Sequence, residues 1–207
     1  MQRVVKADEG QRLEFLLKPL SDGVNIIWHS TDLIIEEADA YFDLLYEEQG
    51  PSFAAITHKP VFVNVVTNLG LTLPKNCFRI NAWNGFLNRE IIELAETASI
   101  KDFPVGHILE EMGWKYQLVP DTPGMIAARV IAMIINEAYF GLGEDISTKS
   151  DIDTAMKLGT NYPFGPFEWS EKIGLKKIYI LLKKLSEADR RYTVAPALEH
   201  EIYINHQ

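Results

Sequence analysis

The sequence predicts an α/β fold in which a parallel, helix-flanked sheet is followed by an all-helical part. Residues 40–46 and 60–66 are almost continuous apolar runs bounded by turn residues. Such runs are typical of strands that are buried on both faces of a parallel sheet. After Pro123 the apolar residues recur at helical spacing, and the strand signal nearly disappears.

This change of pattern also predicts a domain boundary. Ile126 and Val130 begin an apolar stripe with helical spacing, which suits either the core of a helical domain or an interface between chains. We place the boundary near residues 121–124. The predicted domains are therefore residues 1–120 and residues 121–207.

The elements of the first domain follow from apolar runs and turn signals. A helix over residues 11–20 is predicted by its apolar spacing, and Pro19 together with the Ser-Asp-Gly group at 21–23 ends it. A second helix, over residues 101–112, is closed by Gly113. The predicted strands are residues 4–5, 24–28, 40–46, 60–66, 77–83 and 115–119. The second domain has an apolar helical stripe followed by predicted helices at residues 150–158, 166–173 and 176–185.

Composition and charge narrow the possible partners and the setting of the chain. The net charge of −9 argues against nucleic acid and anionic membrane surfaces as main partners, because both select basic patches. The longest apolar run, residues 125–135, is too short to span a bilayer. A single cysteine, Cys77, excludes an intrachain disulfide, so we expect a reducing, cytoplasmic setting.

Cys77 and several acidic residues are interpreted as structural rather than chemical groups. Cys77 lies inside an apolar strand and is expected to be buried and unreactive. Asp151 and Asp153 lie near a predicted helix start, where carboxylates interact favourably with the helix dipole. The acidic pairs at 36–37 and 47–48 are expected in solvent-exposed loops. His, Cys and Asp residues nowhere have the spacing of metal ligands, so no metal site is predicted.

Four segments of the second domain follow one another as in a known enzyme family. Residues 121–129 have the sequence D-T-P-G-M-I-A-A-R, residues 136–138 N-E-A, residues 150–159 S-D-I-D-T-A-M-K-L-G, and residues 161–168 N-Y-P-F-G-P-F-E. Together they resemble the C-terminal domain of the 3-hydroxyacyl-CoA dehydrogenases. The resemblance implies a Rossmann-like first domain, here shortened, an oxidoreductase of fatty-acid or butyrate metabolism, and a homodimer formed through the helical domain.

The resemblance also implies NAD as cofactor, but the first domain departs from the family's dinucleotide-binding pattern. In the family the first strand leads into G-x-G-x-x-G, whose glycines let backbone amides approach the diphosphate. Here only Gly10 is present, and Asp8 and Glu9 place negative charge where the diphosphate would lie. Asp32 is the candidate for the acid that binds the ribose.

The catalytic residues implied by the resemblance are partly replaced. The family uses a histidine as general base in H-x-x-N-P, held by a glutamate twelve positions later. Asn84 matches the asparagine of that motif, and Glu93 lies twelve positions after residue 81. Residue 81 itself is Asn81, whose amide does not accept a proton near neutral pH.

Residues that the family implies for substrate binding are also changed. Ala128 stands where the family has an asparagine, and Thr67 and Asn68 stand in about the place of its Thr-Ser-Ser group. We expect a cleft between the edge of the sheet and the helices after residue 123. Trp83, beside this cleft, suits either a stacking surface or the core.

Three hypotheses for the function follow. The first is an NAD-dependent 3-hydroxyacyl-CoA dehydrogenase with lost or much reduced activity. The second is a non-catalytic dimeric relative that binds an acyl-CoA or a small metabolite in a cleft between the sheet and the helices. The third is a purely structural homodimer whose helical domain serves assembly.

Overall fold

The computed structural model describes residues 1–30, 37–68 and 72–204. The chain forms two compact units, Met1–Met125 and Ile126–Gln207. The first unit contains the sheet and the second is helical, so the α/β class is confirmed.

The first unit is built on a seven-stranded sheet with the order β2-β1-β3-β4-β5-β6-β7. All neighbouring strands are parallel except β5 and β6, which are antiparallel. The prediction of an entirely parallel sheet is wrong at this one pair. The cause is β6, a strand that the sequence pattern did not indicate. The strands are β1 (Gln2–Lys6), β2 (Asn25–Trp28), β3 (Ala40–Asp43), β4 (Val61–Asn64), β5 (Cys77–Ile80), β6 (Ile91–Glu96) and β7 (Lys115–Pro120).

The helices agree with the predicted ones in position but differ at their ends. The strand predicted to reach residue 46 stops at Asp43, and a short helix begins at Tyr46. A last helix after residue 195 was not predicted. The helices of the sheet unit are α1 (Glu9–Leu17), α2 (Tyr46–Gln49) and α3 (Val105–Glu111). Those of the helical unit are α4 (Ala127–Gly143), α5 (Lys149–Thr160), α6 (Pro166–Ile173), α7 (Leu175–Ser186) and α8 (Pro196–Ile204).

Both faces of the sheet are covered, as the continuous apolar runs predicted. On one face Phe42 and Phe62 stack with their ring centroids 4.6 Å apart, and Phe15 of α1 packs edge-on against Phe42. On the other face Tyr41 packs against Phe53, which lies in the segment between α2 and β4. Strands buried on both sides hold their carboxyl ends in fixed positions, and these ends carry the candidate site.

A buried arginine fastens the end of the sheet unit to the sheet. Arg79 in β5 is 0% exposed, and its Nε donates to the carbonyl of Val65 at 2.8 Å. Its other nitrogens form an ion pair with Asp121 and bond to the carbonyls of Val66 and Thr122. Burial lowers the pKa of Arg79, and the charge of Asp121 opposes that shift. The segment after β7 is thereby tied to the residues that follow β4.

Contacts within the helical unit account for residues of the G-P-F-E sequence. The Asp153 carboxylate accepts hydrogen bonds from the backbone N–H groups of Phe167 (2.8 Å) and Glu168 (3.2 Å). It therefore caps α6 and not its own helix, which corrects the interpretation made from sequence. Asp151 does lie in the first turn of α5. A side chain at Gly165 would overlap the Asp153 carboxylate, so only glycine fits there.

Asn136, from the N-E-A segment, has an equally structural role. Its Nδ2 donates to the carbonyl of Thr193 at 2.9 Å, and its Oδ1 accepts from the N–H of Ala195 at 2.8 Å. The side chain is 2% exposed and joins α4 to the segment before α8. The sequence motifs of the helical unit thus account for its own packing.

We predict that Gly165→Ala lowers the free energy of unfolding by about 2–4 kcal/mol, because the new methyl group displaces the Asp153 cap. Gly159→Ala is the matched control. Gly159 lies inside α5, and a Cβ there meets no atom within 4 Å. It should raise stability by about 0.5–1 kcal/mol. Urea denaturation measures both, and equal effects of the two substitutions would contradict the role given to Gly165.

Candidate functional site

The sheet has a position where ligands commonly bind. The strand order reverses at β1, which lies between β2 and β3. In parallel α/β sheets, ligands bind at the carboxyl ends of the strands next to such a reversal. The carboxyl ends of β1, β3, β4 and β5 meet at this edge. The predicted residues at or near it are Gly10, Thr67, Asn68, Asn81, Asn84 and Glu93.

The residue pair at the position of the family's base and its partner is formed. Asn81 Nδ2 donates to Glu93 Oε2 at 3.2 Å, and the backbone N–H of Asn81 bonds to the carbonyl of Glu93. Asn81 Oδ1 accepts from the N–H of Trp83 at 3.4 Å. The amide of Asn81 is 2% exposed, so both of its ends are held inside the protein. The amide of Asn81 itself does not take up a proton near neutral pH.

Asn84 and Gly10, predicted for different roles, lie side by side. A Cβ at position 10 would lie 3.2 Å from Asn84 Nδ2, which is closer than most side chains allow. Glycine is therefore favoured at position 10 by the packing of Asn84. The Oδ1 atom of Asn84 is buried and has no hydrogen-bond partner among the described residues.

The segment that carries Asn84 is held from α1 by a residue that the sequence interpretation missed. The Glu14 carboxylate is 5% exposed and accepts hydrogen bonds from the backbone N–H groups of Gly85 (2.5 Å) and Leu87 (3.2 Å). Its position one turn after Gly10 in α1 was the available signal. A buried carboxylate is retained at low cost only where such donors surround it.

The N-terminus of α1, where a dinucleotide's diphosphate would lie, is capped by the chain itself. Asp8 Oδ1 accepts from the backbone N–H of Gln11 at 2.7 Å, and the Gln11 side chain accepts from the N–H of Asp8 at 3.1 Å. This reciprocal arrangement is a capping box. A cavity of about 480 Å³ lies beside it and is lined by Ala7, Asp8, Glu9, Arg12, Leu13 and Leu16.

The end of β2 carries an aromatic ring rather than an acid. The guanidinium of Arg12 lies 4.6 Å from the ring centroid of Trp28, and Phe15 packs edge-on against the same ring. Asp32, the candidate for the ribose acid, lies outside the described residues.

Thr67 and Asn68 follow β4, as predicted, and both contact a glutamate that was assigned to a solvent-exposed loop. Glu47 accepts hydrogen bonds from the backbone N–H groups of Val66 (3.1 Å) and Thr67 (2.9 Å), from the Thr67 hydroxyl, and from Asn68 Nδ2 (3.3 Å). The assignment is therefore wrong for Glu47, although Glu48 is exposed. Glu37 is also exposed, and residue 36 lies outside the described residues.

Cys77 is buried, as predicted. Burial raises the pKa of its thiol to about 11, and the nearby Asp43 carboxylate acts in the same direction. Burial also raises the pKa of Asp43, which accepts a hydrogen bond from the N–H of Ser52 at 2.7 Å. A thiol with so high a pKa is a poor nucleophile at neutral pH.

Two further predicted residues lie in the interior. Trp83 is 0% exposed, so the core interpretation of its ring is the correct one. Ala128 is buried in the first turn of α4 and belongs to the helical unit. Over the described ranges 1–30, 37–68 and 72–204, no three His, Cys, Asp or Glu residues are grouped to hold a metal ion. Within those ranges no helix is long and apolar enough to cross a membrane.

Comparison with known proteins bears on the helical unit first. Residues 124–205 match the family model described as 3-hydroxyacyl-CoA dehydrogenase, C-terminal domain. The 3-hydroxyadipyl-CoA dehydrogenase of Escherichia coli K12 is 41% identical over 88 residues, which are 42% of this chain and 18% of that protein.

A longer alignment includes the sheet unit. The mitochondrial hydroxyacyl-coenzyme A dehydrogenase of Rattus norvegicus is 29% identical over 194 residues, covering 85% of this chain and 61% of that protein. The chain thus spans 18% and 61% of the lengths of these two relatives.

The fold of the whole chain also has a counterpart. The crystal structure of (S)-3-hydroxybutyryl-CoA dehydrogenase from Ralstonia eutropha superposes with a TM-score of 0.69, covering 99% of this chain and 94% of that one at 15% identity. That likeness concerns the fold alone. The helical unit, over residues 124–205, therefore matches the C-terminal domain of the 3-hydroxyacyl-CoA dehydrogenases in sequence, and the chain as a whole resembles one such enzyme in fold.

Proposed function

We propose that this protein is a relative of the 3-hydroxyacyl-CoA dehydrogenases that has lost NAD-dependent turnover and keeps a binding site for an acyl-CoA or a smaller metabolite. The observation that carries the proposal is the Asn81–Glu93 hydrogen bond of 3.2 Å. Glu93, the implied partner of the general base, is in place, but the amide of Asn81 stands where the base would be.

The chemistry of the family explains why this replacement matters. Oxidation of a 3-hydroxyacyl group requires that the hydroxyl proton leave while hydride is transferred, so a proton acceptor must lie at the hydroxyl. The Asn81 amide is not one, and its oxygen already accepts from Trp83. Loss of a general base alone lowers a rate by about 10²–10⁴-fold.

The residues at the start of α1 do not fit NAD. A helix N-terminus binds a diphosphate through free backbone N–H groups, but here Asp8 accepts from the N–H of Gln11. Glu9, in the first turn, adds a second carboxylate beside it. Two carboxylates at this helix start disfavour a diphosphate electrostatically. These contacts support a protein that does not use the dinucleotide.

Ligand binding without turnover is supported by the polar groups that remain at the sheet edge. Asn84 Oδ1 is buried without a hydrogen-bond partner among the described residues, which costs free energy unless a donor completes it. Thr67 and Asn68 carry further donors at the end of β4, which Glu47 accepts in the free protein. An acyl group with its carbonyl oxygen suits such a mixed set of donors and acceptors.

We further propose a cytoplasmic homodimer that forms through the helical unit and binds neither nucleic acid nor membranes. Helix α4 buries one face in its own unit, but Val130 of α4 is 51% exposed and Ile126, the residue before the helix, is 46% exposed. Exposed apolar side chains that lie close together favour an interface. The net charge of −9 supports the absence of nucleic-acid partners.

The first test is a titration with NADH. We expect its fluorescence to show no saturable change on addition of the protein, because Asp8 and Glu9 exclude the diphosphate. An active 3-hydroxybutyryl-CoA dehydrogenase measured beside it serves as the positive control. Saturable binding by the wild-type chain would contradict the account of α1.

A second test restores the histidine. We expect acetoacetyl-CoA reduction with NADH to stay at background for the wild type and for Asn81→His, because the base alone does not restore cofactor binding. Asn88→His places a histidine at an exposed position in the same segment and serves as control. Turnover by the wild type refutes the account of Asn81. Turnover by Asn81→His, but not by the wild type, would support the account of Asn81. It would contradict the account of Asp8, because the cofactor must then bind.

The assembly is tested by sedimentation equilibrium. We expect the wild type to have twice the 23.5 kDa mass of one chain. Val130→Lys should shift it towards the monomer, because a charge is then buried in an apolar contact. Glu144→Lys makes a charge change at an exposed position just after α4 and should leave the mass unchanged. A monomeric wild type would contradict the dimer proposal.

A further inference from the structure

The end of β4 forms a set of hydrogen-bond donors that converge on one carboxylate. Glu47 Oε2 accepts from the N–H of Val66 at 3.1 Å, while Oε1 accepts from the N–H of Thr67 at 2.9 Å. The Thr67 hydroxyl and Asn68 Nδ2 also donate to Oε1. Two adjacent backbone amides are thus matched, one to one, with the two oxygens of a carboxylate.

The amides of Val66 and Thr67 lie beyond the end of β4, and no strand in the described part of the chain accepts from them. Val66 and Thr67 lie beyond Asn64, the last residue of β4, and are buried, at 0% and 5% exposure. Their amides therefore depend on a side chain or a ligand for a hydrogen bond. The carboxylate that supplies it comes from α2, a single helical turn whose N-cap residue makes no side-chain hydrogen bond.

The electrostatic surroundings also favour an anion. Arg79 is fully buried, and one of its nitrogens bonds to the carbonyl of Val66. The charge of Glu47 acts against the lowering of the pKa of Arg79 by burial, which places the two groups within interaction range. A buried guanidinium behind two convergent amides is a setting that selects negative oxygen.

We propose that the donors of Val66, Thr67 and Asn68, called here the carboxylate nest, bind a carboxylate group of the ligand, and that Glu47 occupies the nest until the ligand displaces it. The inference rests on the proposed function, in which the sheet edge binds a ligand without turnover. It adds a chemical class, an organic carboxylate, and a control element, the exchange of Glu47 for the ligand.

A carboxylate is preferred over other groups because of the geometry of the donors. The two amides address two oxygens separately, which an alcohol or a single carbonyl oxygen does not satisfy. Glu47 is itself half-buried and is held by a helix of only four residues. Its displacement therefore disturbs little of the fold.

The experiment is chemical rescue followed by thermal unfolding. Glu47→Ala should lower the melting temperature by about 3–8 °C, because two buried amides lose their acceptor. Sodium formate or sodium acetate should then raise the melting temperature of this variant in a saturable manner. At ten times the dissociation constant of the added carboxylate, the gain should be about 3–6 °C. Sodium chloride at equal ionic strength should give no such gain. The wild type should gain less than Glu47→Ala at the same concentration, because the added carboxylate must first displace Glu47.

Glu48→Ala is the matched control, since Glu48 is the exposed neighbour of Glu47 in α2. It should gain no more from formate than the wild type does. If Glu47→Ala does not fold, Glu47→Gln keeps one oxygen in place and should show a smaller gain. Thr67→Val in either background should weaken formate binding about tenfold, because it removes a donor. The proposal is overturned if the Glu47 variants respond to formate no more than Glu48→Ala. None of these outcomes depends on NADH, so the two proposals fail separately.

Discussion

The guanidinium of Arg79 lies in the middle of the sheet unit, completely buried, and holds three parts of the chain together. It bonds to the carbonyls of Val65 and Val66 and forms an ion pair with Asp121. The N–H of Gly124 then bonds to the carbonyl of Val66. A buried charge is tolerated only when its donors are satisfied, so each of these segments must be in place for the others to be stable. The carboxyl end of β4 and the segment leaving β7 are positioned by this one requirement.

Positioning by Arg79 has consequences for the neighbouring groups. With the residues after β4 fixed, the amides of Val66 and Thr67 face Glu47 rather than a further strand. Directly after the neighbouring strand β5, Asn81 reaches Glu93 of the antiparallel strand β6. The site is thus determined by strand ends whose geometry the core fixes, and its side chains only complete hydrogen bonds that this geometry leaves open.

The sequence predicted those parts of the fold and the site that depend on local pattern. Strands β3 and β4 were found because they lie in nearly continuous apolar runs. The partnership of Asn81 and Glu93 was found because a resemblance supplied its spacing. The sequence did not predict strand β6, because Ile-Ile-Glu-Leu-Ala-Glu contains helix-forming residues and has only two alternating core positions, Ile92 and Leu94. The hydrogen bonds of Glu47 were not predicted, because its partners lie nineteen or more residues away in the sequence. The pairing of β3 with β4 brings them together.

The three positions where the resemblance implies a ligand or a proton share one physical feature. At each of them the chain supplies its own group. Asp8 caps the helix where a diphosphate would bind, Glu47 fills the amides after β4, and Asn81 bonds to Glu93 where a base would stand. Groups arranged for catalysis or binding are usually under-satisfied in the free protein and cost stability. A protein released from the reaction gains stability by satisfying them internally, which fits the proposed function.

The helical unit is under a different constraint, and this affects how its motifs are interpreted. Gly165 is required by the Asp153 cap, and Asn136 by the backbone of Thr193 and Ala195. Neither requirement involves a substrate or a cofactor. A chain that stops catalysing the reaction still needs both residues to fold, whereas the histidine at position 81 and the glycines near Asp8 that the resemblance implies serve the proton transfer and the cofactor. Family motifs in this unit therefore establish ancestry and packing, while the residues at the sheet edge determine whether the chemistry remains.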